Sequence, residues 1–163
     1  MKKNEMKKED KVNYLPTYKE IPAVGLYLDQ TSKYINDVLN ALPNCTITNS
    51  MIANYVKKHL IDHPVKKQYN RDQIAYLLFI VLTKSAISLE DADRLFGLQK
   101  EKYALKEAYE YFRRRFDQAM NEDHFFSESE EELLILTDNI ILTVVSNIRL
   151  HELLEKTLYR DGE

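Results

Sequence analysis

Apolar residues recur at helical spacing along most of this chain, in successive stretches separated by short polar breaks. From Leu26 to Leu42, the residues Leu28, Ile35, Val38 and Leu42 share one face, with Tyr27 and Tyr34 beside them. Pro43-Asn44 ends that stretch, and Thr46 or Thr48 offers a hydroxyl that can cap the next. Over 49–59, Met51, Ile52, Tyr55 and Val56, continued by Leu60, form an apolar side, while Asn49, Ser50, Asn54, Lys57 and Lys58 form a polar one. Asn70 can cap a strongly apolar helix from Arg71 to Ser85, with Ile74, Leu77, Leu78, Val81 and Leu82 as its core. Ser88, with Asp91 three residues on, is close to a capping box. Leu89, Ala92, Leu95 and Phe96 give that helix a buried side, and Gly97 predicts its end.

Beyond Gly97 the pattern changes. Leu105, Tyr109, Phe112, Phe116 and Ala119 alternate spacings of four and three, a coiled-coil-like seam. Ser127 with Glu130, or Ser129 with Glu132, can cap a last helix from Glu130 to Leu158, on the order of 40 Å long at the standard rise. Its apolar residues cover more than one narrow stripe, which predicts packing on the preceding module or a homodimer through the C-terminal helices. Arg113, Arg114 and Arg115 point different ways around their helix and read as a solvated, salt-bridging face.

The pattern as a whole predicts an all-α protein. Residues 1–14 are expected to be a flexible tail, 15–98 a compact module, and 99–163 a C-terminal antiparallel helical hairpin that dimerises or takes an effector. LPTYKEIP at 15–22, with Pro16 and Pro22, predicts an extended entry pinned by Leu15, Tyr18 and Ile21.

Composition agrees with this picture. Three glycines and four prolines in 163 residues suit long uninterrupted helices. No segment is read as approaching the apolar run that spans a bilayer, and the single Cys45 fits a reducing cytoplasm, so no membrane partner is expected. The net charge of −3 argues against a general nucleic-acid coat, but its distribution is uneven. Between Tyr55 and Asp72, five basic residues face two carboxylates; from Asn121 onward, eleven carboxylates face three basic residues. A basic patch on an acidic molecule directs a phosphate backbone to one face.

Candidate chemistry is sparse. His59 and His63 stand four apart, a zinc-compatible spacing, but Pro64 follows and no third ligand is evident. Cys45 lacks a histidine pattern, Glu130–Glu132 suit a helix start, and no glycine loop cradles a phosphate. Neither catalysis nor a metal or cofactor is expected. The informative segment is 60–69, where paired lysines sit between apolar anchors and can form a small wing. Asparagine pairs bidentately with adenine, and lysine reaches guanine edges or phosphates. Asn49, Ser50, Asn54, Lys57 and Lys58 are therefore the candidate base-facing residues, and Lys66, Lys67 and Arg71 the candidate phosphate contacts.

The order of these features resembles the MerR-like winged helix-turn-helix: a Thr-capped helix with Tyr near its middle, a Leu-Ile close, a proline-lysine turn, Tyr and a polar cap, an apolar helix, then ISLEDADRLF. It is more closely similar to a bacterial family of unknown function carrying such a module. That likeness rests on LPTYKEIP with LYLDQ, MIANYVKKHLI, HPVKKQYNRDQIAYL and SLEDADRLF, over roughly 15–98. The resemblance implies that the 49–59 helix enters the major groove, that the wing touches the backbone, and that C-terminal helices dimerise. Three positions depart from the pattern. Ser50 and Ala53 stand where arginines are usual, and Gln68 stands where a glycine turn precedes the tyrosine. A DNA-binding transcriptional regulator is the expected function. A protein-interaction scaffold, or a sensor of a small-molecule effector on the same fold, is the alternative.

Overall fold

In the computed structural model, which describes residues 11–159, a 3-10 turn at Tyr18–Glu20 opens the chain. It is followed by β1 (Leu26–Tyr27), α1 (Leu28–Val38), α2 (Asn49–Lys57), β2 (Gln68–Tyr69) and α3 (Arg71–Thr83). The helices α4 (Leu89–Lys102), α5 (Leu105–Asn121) and α6 (Glu132–Leu158) complete it. The fold is all-α, with one antiparallel ribbon of two short strands pairing Leu26 with Tyr69 and Tyr27 with Gln68.

The most apolar stretch lies at the centre. Every residue of α3 from Gln73 to Thr83 is buried, because α1, α4, α5 and α6 all pack on it. Its start is fixed by a reciprocal box, in which Asn70 Oδ1 accepts from the Gln73 amide at 2.9 Å and Gln73 Oε1 accepts from the Asn70 amide at 2.8 Å. Each large apolar side chain so buried contributes roughly 1.5–3 kcal/mol, which explains why a helix with little amphipathic character is stable here.

Several element boundaries differ from those expected. The 26–42 stretch gives its first two residues to β1, and the helix stops at Val38. Thr48 caps α2, accepting from the Met51 amide at 3.1 Å. Ser88 accepts from the Asp91 amide at 3.0 Å, but only this half of a box forms, consistent with the short reach of aspartate. Helix α4 passes through Gly97 to Lys102; a helix of this length tolerates one glycine at about 1 kcal/mol. Neither expected pair caps α6. Ser127 Oγ donates to Asp138 at 2.7 Å instead, and Ser129 Oγ accepts from the Glu131 amide at 3.0 Å.

The expected tail, residues 1–14, is only partly within the described residues, and its last part is anchored. Asn121 Oδ1 accepts from the Val12 amide at 2.9 Å, and Asp117 Oδ1 accepts from the Tyr14 amide at 2.9 Å. Tyr109 donates to the Pro16 carbonyl at 2.7 Å and Glu110 accepts from the Tyr18 amide at 2.6 Å. Residues 12–18 thus run antiparallel along α5. Leu15 and Ile21 are buried, as expected of a pinned entry. One hydrophobic core joins this strap to α3, α5 and α6, so the expected boundary at residue 98 falls inside a helix and across a shared core.

The C-terminal pair is the largest correction. Tyr103, just before α5, donates to Glu131, just before α6. Further along, Tyr111 donates to Asp138 at 3.0 Å and Arg115 pairs with Asp138 at 3.0 Å, and at the far end Arg149 donates to the Ala119 and Glu122 carbonyls at 2.8 Å. Partner numbers rise together, so α5 and α6 lie parallel, not as the antiparallel hairpin expected. The 122–131 connection runs back along α5 to make this possible, held where Arg115 donates to the Phe126 carbonyl at 2.6 Å and stacks over Phe125 at 4.2 Å. Arg115 and Asp138 are both buried. The arginine run is therefore not simply a solvated face: Arg115 organises the return loop, Arg113 pairs with Glu110 at 2.8 Å, and Arg114 stays exposed.

Helix α6 also corrects the expectation that no segment approaches a bilayer span. It has 27 residues, with an 18-residue window of mean hydropathy 1.6, enough by length and composition. Ile140, Ile141, Val144, Val145 and Ile148 pack inward around the paired Asp138, and 39% of that window is buried; the outward side carries Asn139, Thr143, Ser146 and Asn147 together with the exposed Leu136 and Leu142.

Candidate nucleic-acid interface

Helix α2 divides as its sequence pattern requires. Ile52, Tyr55 and Val56 are buried, and Ser50, Ala53, Asn54, Lys57 and Lys58 are exposed. Ser50, Asn54 and Lys57 stand at i, i+4 and i+7 and so share one face. No side-chain hydrogen bond or ion pair engages Ser50, Asn54, Lys57 or Lys58 among the described residues. These four groups are available to a partner.

Asn49 is not. Its amide donates to Asp29 and its carbonyl oxygen accepts from Ser32 Oγ at 2.6 Å, so both ends of the side chain brace α2 against α1. Base contact by Asn49, expected from the sequence, would first cost both bonds. Asn36 adds a second brace: its amide donates to the Ile47 carbonyl at 2.9 Å and its Oδ1 accepts from the Ile47 amide at 2.8 Å.

The end of α2 is a Schellman close. The Leu60 amide donates to the Tyr55 carbonyl at 3.0 Å and the His59 amide to the Val56 carbonyl at 3.0 Å. His59 occupies the left-handed position, at φ 60°, where glycine is usual. The rings of His59 and His63 lie 6.5 Å apart, edge to face.

The proline-lysine turn forms a two-residue hairpin. Val65 and Gln68 exchange both backbone hydrogen bonds, at 3.1 and 2.9 Å, and Lys66 and Lys67 have φ of 51° and 63°. Two consecutive left-handed residues in a two-residue loop define a type I′ turn, normally supplied by Asn-Gly or Asp-Gly. Here both are lysines, both exposed. The turn needs no glycine before Tyr69, because the close approach is accommodated across the ribbon. A Cβ placed on Gly25 would meet Gln68 Cβ at 2.7 Å. The glycine absent from position 68 is matched by one at position 25, on the segment leading into β1.

Arg71, expected from the sequence to contact phosphate, is engaged within the chain. Its Nε donates to the Ile21 carbonyl at 2.8 Å and its Nη2 to the Lys19 carbonyl at 3.2 Å, while the guanidinium carbon lies 5.3 Å from the Tyr18 ring centre. Tyr18 in turn donates to Asp72, and burial together with that carboxylate pushes its phenol up to about 12, against the opposing charge of Arg71. Arg71 thus fastens the strap to the start of α3. Cys45 is buried, and burial pushes its thiol up from its ordinary value with Lys84 opposing.

What remains is Ser50, Asn54 and Lys57 on α2, Lys58 at its C-cap, and Lys66 and Lys67 at the hairpin tip. Sequence spacing found the helix face. It missed the left-handed turn, since the only local sign was a two-residue gap between Val65 and Gln68 without the usual Asn or Gly.

The family described as Domain of unknown function (DUF1836) matches residues 16–112, more than half of the chain. The chain belongs to this family. Its segment begins in the strap and ends at Phe112 in α5, taking in the candidate interface, the ribbon and the whole of α3 and α4. It therefore crosses residue 98, in keeping with the shared core. No curated protein and no solved structure matches the chain.

Proposed function

We propose that the protein is a DNA-binding regulator of the cytoplasm with a MerR-like winged helix-turn-helix, acting as a homodimer. Asn54 and Lys57 read base edges with Ser50 and Lys58 beside them, and Lys66 and Lys67 hold the phosphate backbone. The observation that carries this reading is the hairpin tip. Two lysines occupy left-handed positions that cost roughly 1–2 kcal/mol each for a residue with a Cβ. Asn-Gly would fit the same turn with little strain, so this chain places charge at the tip against the backbone's preference. Strain of this kind persists where function uses it.

The dimer is supported by the end of α6. Leu150, Leu153, Leu154 and Leu158 are exposed at 54%, 59%, 41% and 65%, and they fall on one stripe. A second copy of the same stripe is the occupant proposed, because two-fold pairing places two reading helices on one duplex. Light scattering on the full chain tests this: a dimer is expected at micromolar concentration, Leu153→Glu with Leu154→Glu should give a monomer, and a monomeric wild type defeats the dimer.

The DNA reading is tested by selecting bound fragments from genomic DNA. Recovery of an enriched motif, weakened for all sequences by Lys66→Ala with Lys67→Ala, is expected. Failure to enrich any site, with no shift of any duplex at low salt, refutes it and leaves the interaction scaffold.

A further inference from the structure

Gln68 pairs with Tyr27 on one side and is bridged to Val65 on the other. Side chains directly opposite one another in antiparallel strands point to the same face. Tyr27, Gln68 and Val65 therefore form one row across the ribbon, while the next pair, Leu26 and Tyr69, turns to the core, where Tyr69 is buried. The row lies outside: Val65 is 71% exposed and Tyr27 51%. Gln68, at its centre, is half-buried for a local reason. A Cβ on Gly25 would meet Gln68 Cβ at 2.7 Å and its Oε1 at 2.8 Å, so the side chain lies flat across bare glycine backbone. That seat fixes the amide's place without using its bonding capacity. No side-chain hydrogen bond engages it among the described residues, and neither end of the amide is sealed from solvent. The two residues between Val65 and Gln68 are the exposed Lys66 and Lys67, so the row is continuous with the charged tip.

We propose that this outer face of the ribbon lies along one DNA strand and that Gln68 donates its amide N–H to a backbone phosphate. The inference rests on the DNA reading above and adds uncharged contacts to it. Charge complementarity names the occupant: Lys66 and Lys67 draw a polyanion to the tip, and the adjoining row offers the neutral groups that a sugar-phosphate strand accepts. Gln68 and Tyr27 donate to phosphate oxygens, and Val65 rests on the deoxyribose between strand and tip. The dimensions agree. Neighbouring strands stand about 4.8 Å apart, so the row from Tyr27 to Val65 is about 10 Å long. A DNA strand carries a phosphate about every 3.4 Å of helix axis, so the row passes two or three of them. Base reading by Gln68 does not fit the same geometry, because an amide lying flat on Gly25 must leave its seat to enter a groove. A phosphate comes to it where it lies. Such contacts fix the register of the reading helix on the duplex without adding sequence preference of their own.

The test is equilibrium binding of the full chain to the most enriched duplex from the genomic selection, with methylphosphonate replacing one phosphate at a time. Gln68→Met keeps the length of the side chain over Gly25 and removes its donor. It should weaken the parent duplex about tenfold, as expected for a hydrogen bond to a charged group. It should also lose the wild-type sensitivity at one phosphate. Its salt slope should equal that of wild type, because no charge is removed. Lys66→Ala should lose sensitivity at a different phosphate and make the slope shallower. Tyr27→Phe, which removes only a hydroxyl, should lose sensitivity at a phosphate neighbouring that of Gln68, and it decides alone if Gln68→Met does not fold. A Gln68→Met chain that binds as wild type does, or that keeps its sensitivity at every phosphate, overturns the proposal while the DNA reading stands. A wild type that binds no duplex overturns both.

Discussion

Replacing Lys66 by Asn and Lys67 by Gly should make the fold more stable and DNA binding weaker at once. Both lysines lie in the left-handed region, at φ 51° and 63°. Each costs about 1–2 kcal/mol there, whereas Asn tolerates the conformation and Gly enters it freely. The gross relief is about 2–4 kcal/mol. Glycine returns roughly 0.5–1 kcal/mol of that through the entropy of the unfolded chain. A net gain of about 1–3.5 kcal/mol remains, corresponding to a rise in Tm of roughly 2–14 °C for a chain of this size. The same change removes two phosphate contacts per protomer, so the slope of log affinity against log salt should become shallower by about 1.8 per protomer, about 3.6 for the dimer. Thermal denaturation supplies the first number and a salt series of binding isotherms the second. A Tm that falls or does not move refutes the strained turn. An unchanged salt slope refutes the phosphate role of the tip, whatever the Tm does.

Other perturbations test the architecture. Gly25→Ala should destabilise by about 1–3 kcal/mol, the usual cost of overpacking, because its Cβ meets Gln68 Cβ at 2.7 Å; chemical denaturation should show the loss, and Gln68→Gly in the same chain should restore it. Arg115→Met leaves Asp138 buried without its ion pair and should cost about 3–5 kcal/mol, read as a lower urea midpoint, while Arg114→Met, at an exposed position, should move it by under 0.5 kcal/mol. Burial raises Asp117 above its ordinary 3.8, with the Tyr14 and Leu15 amides and Arg113 opposing. A raised carboxyl favours the protonated fold, so its charge costs stability at neutral pH and that cost disappears as pH falls below 3.8. Asp117→Asn should therefore gain on wild type at pH 7, with the gap narrowing in acid; a gap that widens as pH falls would contradict the sign.

Periodicity alone determined the helices and the buried side of most of them. The 3.6-residue recurrence in α1, α2 and α5 requires one apolar face each, and Thr48, Asn70 and Ser88 mark three of the starts because only their side chains can meet the free amides there. The exposed face of α2 was legible for the same reason. Direction and distance were not. That α5 and α6 run parallel depends on the ten-residue return loop and on Arg115 reaching Asp138, and apolar spacing is identical for parallel and antiparallel neighbours. Asn49 and Arg71 have the composition of nucleic-acid contacts, yet tertiary packing gives them Asp29, Ser32 and the strap carbonyls as partners. That the Tyr76 hydroxyl has no hydrogen-bond partner among the described residues is likewise invisible in sequence, where Tyr76 is one more residue of an apolar helix. Local patterning decides which residues turn inward. Only the assembled core decides which polar groups find partners inside it and which do not.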